Sequence, residues 1–566
     1  MTRSEGGPED ERRAETEERL RIDRRQLLGG AGTAMLGLAG GLGGAALLDA
    51  APATPASGTR GATGTSFELE ELTIRDLQAG LAAGRWTSRR LVELYLGRIE
   101  SVDGGPAGIH AIAETNPEAL AIAEKLDAER RAGRSRGPLH GIPVIVKDNI
   151  DTGDRMKTTA GSLALASSKA AKDAAVIERL RAAGAVILAK TNLSEWANFR
   201  SSRSTSGWSG RGGQVHNPYA LDRNPCGSSS GTGAGVSANL AAAGVGTETD
   251  GSVICPSSMC GLVGIKPTVG LVSRRGIIPI SPSQDTAGPM ARTVADAAIL
   301  LSAMTGTDLL DPATAASAGK SSDYTKVLDA DGLSGARVGV ARNYFGWHPA
   351  IDEQMKAILD LLRELGAVIV DPANLPRTSG YDATEFEVLL YEFKQSLNDY
   401  LSRLPEGDQP RDLAGVIDWN SRHAALEMPW FGQEILEQSE AKGPLTEKAY
   451  LDALANNHRL SRAEGIDAAL AEHRLDVLVA PSMGPAYLTD WLNGDHYGGS
   501  ATSPCAVSGY PHVTVPAGFV HGLPWGLSFM GSAWSEAKLV RYAFAFEQSS
   551  RARKPPRFLA TVDFTS

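Results

Sequence analysis

The feature that most constrains the fold of this chain is a repeated succession of helix-like and strand-like patterns. Residues 173–184 have apolar positions at helical spacing and end in a glycine, and the apolar run at residues 185–188 is typical of a buried strand. The pattern continues later in the chain, with one predicted helix and three predicted strands at residues 349–365, 368–370, 475–479 and 512–515. Such alternation predicts an α/β protein with a largely covered sheet.

The composition fits a large globular enzyme. With 566 residues, 42% of them hydrophobic, the chain can bury a large core, and its length alone predicts two or more domains. The formal net charge of −10 provides no positive surface for nucleic acid or for anionic lipid. We therefore expect no nucleic-acid partner.

Residues 1–50 are predicted to be a twin-arginine export signal and not part of the fold. Arg24 and Arg25 precede a weakly apolar stretch, rich in glycine and alanine, that ends at Leu48. A retained membrane anchor is the alternative, because about 22 mildly apolar residues are enough to span a bilayer. The glycines and the alanine-rich exit favour cleavage, so we expect export by the twin-arginine machinery to the periplasm or the exterior, without stable membrane association afterwards. Residues 51–66 are predicted to form a disordered linker.

The cysteines give no pattern of a metal site. There are four, Cys226, Cys255, Cys260 and Cys505. Their spacing lacks the paired ligands of a zinc site. The twin-arginine route exports proteins already folded, so a reduced core is adequate, and packed small residues are the favoured interpretation. One disulfide is the alternative.

Two segments rich in serine and glycine lie close together in the sequence. Residues 225–235 read PCGSSSGTGAG, and residues 246–256 read GTETDGSVICP. A glycine-rich loop can bind phosphate, but the first segment lacks a Gly-Lys-Ser/Thr ending and does not follow a strand-like run. A serine hydroxyl attacks a carbonyl carbon only when a base lies within hydrogen-bond reach. No histidine occurs in a nucleophile-elbow motif, so the base must be sought elsewhere.

A lysine in an apolar context is the best candidate for that base. Residues 141–150 read GIPVIVKDNI, which places Lys147 directly after an apolar run. Lysine acts as a base only when it is neutral, and burial among apolar groups favours the neutral form. Lys190 and Lys266 lie in similar strand-like contexts and are the next candidates.

In their order and spacing, these three segments resemble the amidase signature family, and most closely its peptide amidase branch. The resemblance implies an amide hydrolase that works through an acyl-enzyme and needs no metal or organic cofactor. It assigns Ser252 as the nucleophile, Ser228 as the proton shuttle and Lys147 as the base. It also implies a cis peptide bond at Ser228, made possible by Gly227.

The same resemblance assigns supporting roles around the serines. It implies an oxyanion hole built from the backbone amides of Thr249, Asp250, Gly251 and Ser252. Ser229 is expected to support its loop by hydrogen bonds.

The resemblance also implies one compact domain at residues 67–566, so the length-based expectation of several domains is set aside. The expected fold is a mixed, twisted β-sheet covered by helices on both faces. Residues 373–442, rich in charged and aromatic residues, interrupt the alternation and are predicted to be a helical insert or cap.

Two departures from the family pattern bear on the substrate. Asp250 stands where the family has a small residue, and Ile254 stands where it has arginine. The peptide amidase branch removes ammonia from C-terminal peptide amides, so a peptide amide is the expected substrate. Aryl or aliphatic small amides are the alternative. The export signal and the lack of a basic face argue against a transamidase subunit acting on transfer RNA, and the intact Lys147, Ser228 and Ser252 argue against a non-catalytic binding protein.

Overall fold

The computed structural model describes residues 67–376 and 380–564. The predicted export signal and the predicted linker lie outside the described residues. Within the described part, no helix is both long and apolar enough to cross a bilayer.

The described residues form one sheet of eleven strands and a separate two-stranded ribbon, β4 with β5. The strands are β1 Ile112–Thr115, β2 Pro143–Lys147, β3 Val186–Thr191, β4 Trp208–Ser209, β5 Gly213–Gln214, β6 Ala243–Glu248, β7 Val263–Lys266, β8 Thr286–Ala291, β9 Arg337–Val340, β10 Val368–Val370, β11 Val477–Pro481, β12 His512–Val520 and β13 Leu523–Met530. Their order in the large sheet is β1-β3-β2-β6-β8-β7-β12-β13-β11-β9-β10. Parallel pairs such as β2 with β6 occur beside antiparallel pairs such as β6 with β8, so the sheet is mixed, as expected.

Helices cover both faces of this sheet in a single α/β domain, so the length-based expectation of two domains is wrong. The α-helices are α1 Ile74–Ala82, α2 Ser88–Val102, α3 Ala119–Arg131, α4 Ala175–Ala182, α5 Ser230–Ser237, α6 Ile254–Met259, α7 Val294–Met304, α8 Pro349–Glu364, α9 Asp382–Ser402, α10 Leu413–Arg422, α11 Ala424–Glu427, α12 Glu434–Glu440, α13 Lys448–His458, α14 Asp467–Glu472, α15 Ser503–Ser508 and α16 Glu536–Ser550.

The predicted alternation of helix and strand is confirmed where the pattern was strongest. Helix α4 is followed by Gly184 and then β3, and α8 is followed by Gly366 and then β10. Both glycines have φ of +85°, the left-handed conformation that ends a helix at little steric cost. The sheet lies in the middle of the main core because its strands are apolar on both faces.

Within the predicted insert, the described residues 382–440 are mainly helical and pack next to the serine-rich loops. Helices α9, α10 and α12 contribute apolar side chains to a second buried cluster, which includes Leu390 and Phe393. Trp196 and Phe199, from the chain that follows β3, complete this cluster. The packing places the first turns of α9 over one end of the sheet, where the predicted site lies.

Candidate functional site

The topology of the sheet brings the three predicted segments together. Lys147 is the last residue of β2, and Glu248 is the last residue of β6. Because β2 and β6 are neighbouring parallel strands, their carboxyl ends meet at the same edge of the sheet. Ser228 lies just before α5, and Ser252 lies in the turn between β6 and α6. The loops that carry both serines therefore begin or end at this edge.

The side chain of Lys147 is completely buried and contacts one of the two predicted serines. Its Nζ lies 2.7 Å from Ser228 Oγ, 2.9 Å from Thr247 Oγ1 and 3.2 Å from the Thr247 carbonyl oxygen. Asn149 donates a hydrogen bond from Nδ2 to Thr247 Oγ1 at 3.0 Å, which fixes that hydroxyl. Among the described residues, no carboxylate lies within ion-pair distance of Lys147. The amine is thus surrounded by hydroxyl and carbonyl groups only.

Burial lowers the pKa of Lys147 to about 7, because the charged ammonium has lost its hydration. The more distant negative charges of Asp285 and Glu248 oppose this shift without cancelling it. Burial in turn raises the pKa of Asp285 to about 6 and raises that of Glu248, which weakens both as counter-ions near neutral pH. A large neutral fraction of Lys147 at neutral pH follows.

The two other candidate lysines are buried elsewhere and contact neither serine. Lys190 donates hydrogen bonds to the Ile150 carbonyl at 2.6 Å and to Thr158 Oγ1 at 2.9 Å. Lys266 donates to the Tyr510 carbonyl at 2.8 Å. Neither is therefore placed to act on Ser228 or Ser252.

The loop around Ser228 is tied closely to the end of β6. The Gly227–Ser228 peptide bond is cis. A Cβ atom on residue 227 would collide with Ser194 Oγ, so the position requires glycine. Ser229 donates from Oγ to the Thr247 carbonyl at 3.0 Å and accepts from the Thr247 amide at 3.2 Å. Two side-chain hydrogen bonds thus tie Ser229 to the end of β6.

The turn that carries Ser252 leaves a set of backbone amides without acceptors. Glu248 Oε2 accepts hydrogen bonds from the amides of Val253 and Ile254 at 2.7 and 3.0 Å. The amides of residues 249–252 have no acceptor among the described residues. Gly251, with φ of +77°, provides the left-handed conformation of this turn. Successive amides of this kind form a concave site for a developing negative charge.

These amides border a cavity that opens beside Ser252. Its walls come from the two serine-rich segments, from the chain after β3, from α9 and from the segment before α15. The lining residues include Phe199, Gly227, Thr249, Asp250, Gly251, Ser252, Glu385, Phe386, Leu389, Tyr497 and Ser503. The lining thus combines apolar side chains with polar groups that include Asp250, Ser252 and Glu385. Ser252 itself is only 8% exposed, so a group that reaches it must enter this cavity.

A family model described as Amidase matches residues 90–540. The chain belongs to the amidase family. A probable amidase of Arabidopsis thaliana is 43% identical over 88% of this chain and 93% of its own length. The structure of native peptide amidase from Stenotrophomonas maltophilia is 50% identical, with a TM-score of 0.83 over 87% of this chain and 99% of that chain. A structure of peptide amidase in complex with the competitive inhibitor chymostatin is also 50% identical, with a TM-score of 0.84 over 87% of this chain and 100% of that chain.

Membership of the amidase family makes the chain an amide-hydrolysing enzyme. The geometry adds residues that the sequence patterns did not single out. Thr247 accepts hydrogen bonds from Lys147, Asn149 donates one to Thr247 Oγ1, and Glu248 accepts two from amides in the turn after Ser252. Each lies inside one of the quoted segments, so its place in that segment was the available signal. Glu385 comes from α9, far away in sequence, and no local pattern indicated it.

The cysteines require a correction. Cys226 and Cys255 form a disulfide, whereas packed reduced cysteines were the favoured interpretation. The bond links the two serine-rich segments across a sequence separation of 29 residues. The fold brings their Cα atoms to 6.0 Å, a normal spacing for a disulfide, and this approach cannot be read from the sequence. Cys260 and Cys505 are free and buried, as the packed interpretation expected.

We expect removal of this disulfide to destabilise the amidase. Cross-linking a loop of this length typically stabilises a protein by about 2–4 kcal/mol. The Cys226→Ala, Cys255→Ala double variant should therefore have a lower melting temperature than the wild type. A reductant should lower the melting temperature of the wild type and leave that of the variant unchanged. An equal effect of the reductant on both proteins, or no cross-linked peptide in mass spectrometry, would contradict the bond.

Proposed function

We propose that this amidase deamidates C-terminal peptide amides to the acid and ammonia, with a Ser-Ser-Lys triad and an acyl-enzyme. The observation that carries the proposal is the contact of 2.7 Å between Lys147 Nζ and Ser228 Oγ, made by a lysine that is completely buried. A neutral amine has one lone pair, and a hydroxyl at this distance can donate into it. Lys147 is the base, Ser228 transfers the proton, and Ser252 is the nucleophile.

In the first half of the reaction, Ser252 Oγ attacks the carbonyl carbon of the amide. Its proton passes to Ser228 Oγ while the Ser228 proton passes to Lys147 Nζ, which becomes an ammonium. The carbonyl oxygen gains negative charge and accepts hydrogen bonds from the amides of residues 249–252. One such donor is typically responsible for a rate factor of about 10²–10³.

The second half restores the enzyme. The C–N bond breaks, and the proton returns from Lys147 through Ser228 to the leaving nitrogen, which departs as ammonia. Water then attacks the acyl-enzyme and gives up its proton along the same path. Breaking the bond between the acyl carbon and Ser252 Oγ releases the acid and returns a proton to Ser252.

The peptide amide as substrate is supported by the peptide amidase structures, which are 50% identical to this chain. The cavity supports it as well, because its apolar walls include Phe199, Phe386 and Leu389 and suit an apolar side chain next to the amide.

We expect purified enzyme to release ammonia from peptide amides faster than from acetamide or benzamide. The Ser252→Ala variant should lower kcat/KM by roughly 10⁴-fold or more, because it removes the nucleophile. Ser101→Ala, an exposed position on α2, is the control that carries the same change and should retain full activity. Turnover by Ser252→Ala equal to that of the control would remove Ser252 from the mechanism. Activity confined to small amides would instead favour an amidase for aryl or aliphatic amides.

We expect the activity to follow the protonation of Lys147. Only the neutral amine accepts a proton, so kcat/KM should rise about tenfold per pH unit below the pKa of about 7 and level off above it. A pH profile on a peptide amide measures this. Lys147→Arg, which stays charged throughout, should be inactive at every pH. A flat profile from roughly pH 5 to 9 would contradict a lysine base.

We propose that the protein is exported by the twin-arginine route. Support comes from Arg24 and Arg25 ahead of the apolar stretch and from the Cys226–Cys255 disulfide, since disulfides persist mainly in oxidising compartments.

Replacing Arg24 and Arg25 with lysine should retain the protein in the cytoplasm of a bacterial host that has the twin-arginine machinery. Fractionation followed by immunoblotting measures the distribution. Arg21→Lys is the control for charge near the same position and should leave export unchanged. Export of the double variant equal to that of the control would contradict the proposal.

A further inference from the structure

The cavity next to Ser252 contains two carboxyl groups that the reaction above does not use. Asp250 Oδ2 accepts a hydrogen bond from Ser503 Oγ at 2.7 Å, and Glu385 Oε1 accepts one from Gln284 Nε2 at 2.9 Å. The second oxygen of each, Asp250 Oδ1 and Glu385 Oε2, is buried and has no hydrogen-bond partner among the described residues. Both residues line the cavity, and Glu385 is only 1% exposed. Two acceptors are thus present without a donor.

Gln284 holds Glu385 against the turn of the nucleophile. Its Nε2 lies 3.3 Å from the Thr249 carbonyl oxygen as well as 2.9 Å from Glu385 Oε1. Asp250 belongs to the same turn, two residues before Ser252. The carboxyl pair therefore lies beside the groups that would act on the carbonyl of a bound amide.

No cation neutralises this pair directly. In the described part of the chain, neither carboxyl forms an ion pair with lysine or arginine. Burial raises the pKa of both groups, and the negative charge of Asp250 raises that of Glu385 further. The unpartnered oxygens Asp250 Oδ1 and Glu385 Oε2 are therefore able to accept hydrogen bonds from a ligand.

We propose that Asp250 and Glu385 form a subsite that accepts hydrogen bonds from an N–H group of the substrate. The inference rests on the function proposed above and deepens it by naming what the cavity recognises. A buried acceptor is unfavourable without a donor, and a site of this kind discriminates strongly against an analogue that lacks the donor. The N–H group can belong to the carboxamide that is cleaved or to the acyl side of the substrate.

Four compounds separate these two sources. N-acetylphenylalanine amide has an N–H group on both sides, and N-acetylphenylalanine methyl ester has one on the acyl side only. 3-Phenylpropanamide has N–H groups on the carboxamide only, and methyl 3-phenylpropanoate has none. The decisive variant is Glu385→Gln, which keeps the size of the side chain and replaces an acceptor with a donor. Glu387→Gln is the matched control, because Glu387 lies on the same helix and pairs with Lys442.

We expect Glu385→Gln to lower kcat/KM by about 10- to 100-fold for compounds that have the recognised N–H group, and by less than about threefold for the others. A lowered kcat/KM on both amides identifies the carboxamide as the source of the recognised N–H group. A lowered kcat/KM on both N-acetyl compounds identifies the acyl side as its source. If Glu385→Gln has a lowered melting temperature, Asp250→Asn serves as the test variant in its place. It should give the same selective pattern. Equal loss on all four compounds, no loss on any, or the same pattern in Glu387→Gln would overturn the subsite.

A binding measurement keeps this test separate from the test of the mechanism. The four compounds are titrated by calorimetry into Ser252→Ala and into Ser252→Ala, Glu385→Gln. Weaker binding of the N–H compounds alone by the double variant supports the subsite, even if wild-type enzyme fails to cleave peptide amides. Identical binding by both proteins would overturn it.

Discussion

Everything in the site depends on a lysine that is buried without a counter-ion and is fully hydrogen-bonded in both of its protonation states. As an ammonium, Lys147 has three hydrogens for Ser228 Oγ, Thr247 Oγ1 and the Thr247 carbonyl. As a neutral amine, it can donate two hydrogens to Thr247 and accept from Ser228. A direct carboxylate partner would stabilise the ammonium form of Lys147, and a purely apolar environment would strongly destabilise that form. The surroundings therefore leave the two forms close in free energy near neutral pH.

The end of β6 organises this arrangement from one short stretch of chain. Thr247 accepts hydrogen bonds from Lys147. Its backbone carbonyl and amide also make both side-chain hydrogen bonds of Ser229. Glu248, the next residue, takes the amides of Val253 and Ile254. Because Glu248 accepts hydrogen bonds from these two amides only, the amides of residues 249–252 have no acceptor in the described part of the chain and are available to a ligand. Strand pairing with β2 thus fixes Lys147 and the turn of residues 249–252 relative to each other.

The parts of this protein that were predictable from sequence are those governed by local pattern. Glycine stops and apolar runs predicted α4, β3, α8 and β10, and the three motifs indicated which residues meet at the sheet edge. The pairing of Cys226 with Cys255 was not predictable, because it depends on how two loops approach each other in space. Glu385 was missed for the same reason. Its position over the cavity follows from the packing of α9 on a cluster assembled from distant segments.

Helices α9, α10 and α12 pack in a cluster that is distinct from the main core around the sheet and that also includes Trp196 and Phe199. Glu385, Phe386 and Leu389 reach the cavity from α9, whereas Lys147, Ser228 and Ser252 belong to the sheet and its loops. The cavity wall from α9 and the strand that carries Lys147 therefore pack in different clusters of contacts. Such a division lets a change in α9 reshape the cavity while the strand that carries Lys147 keeps its own packing.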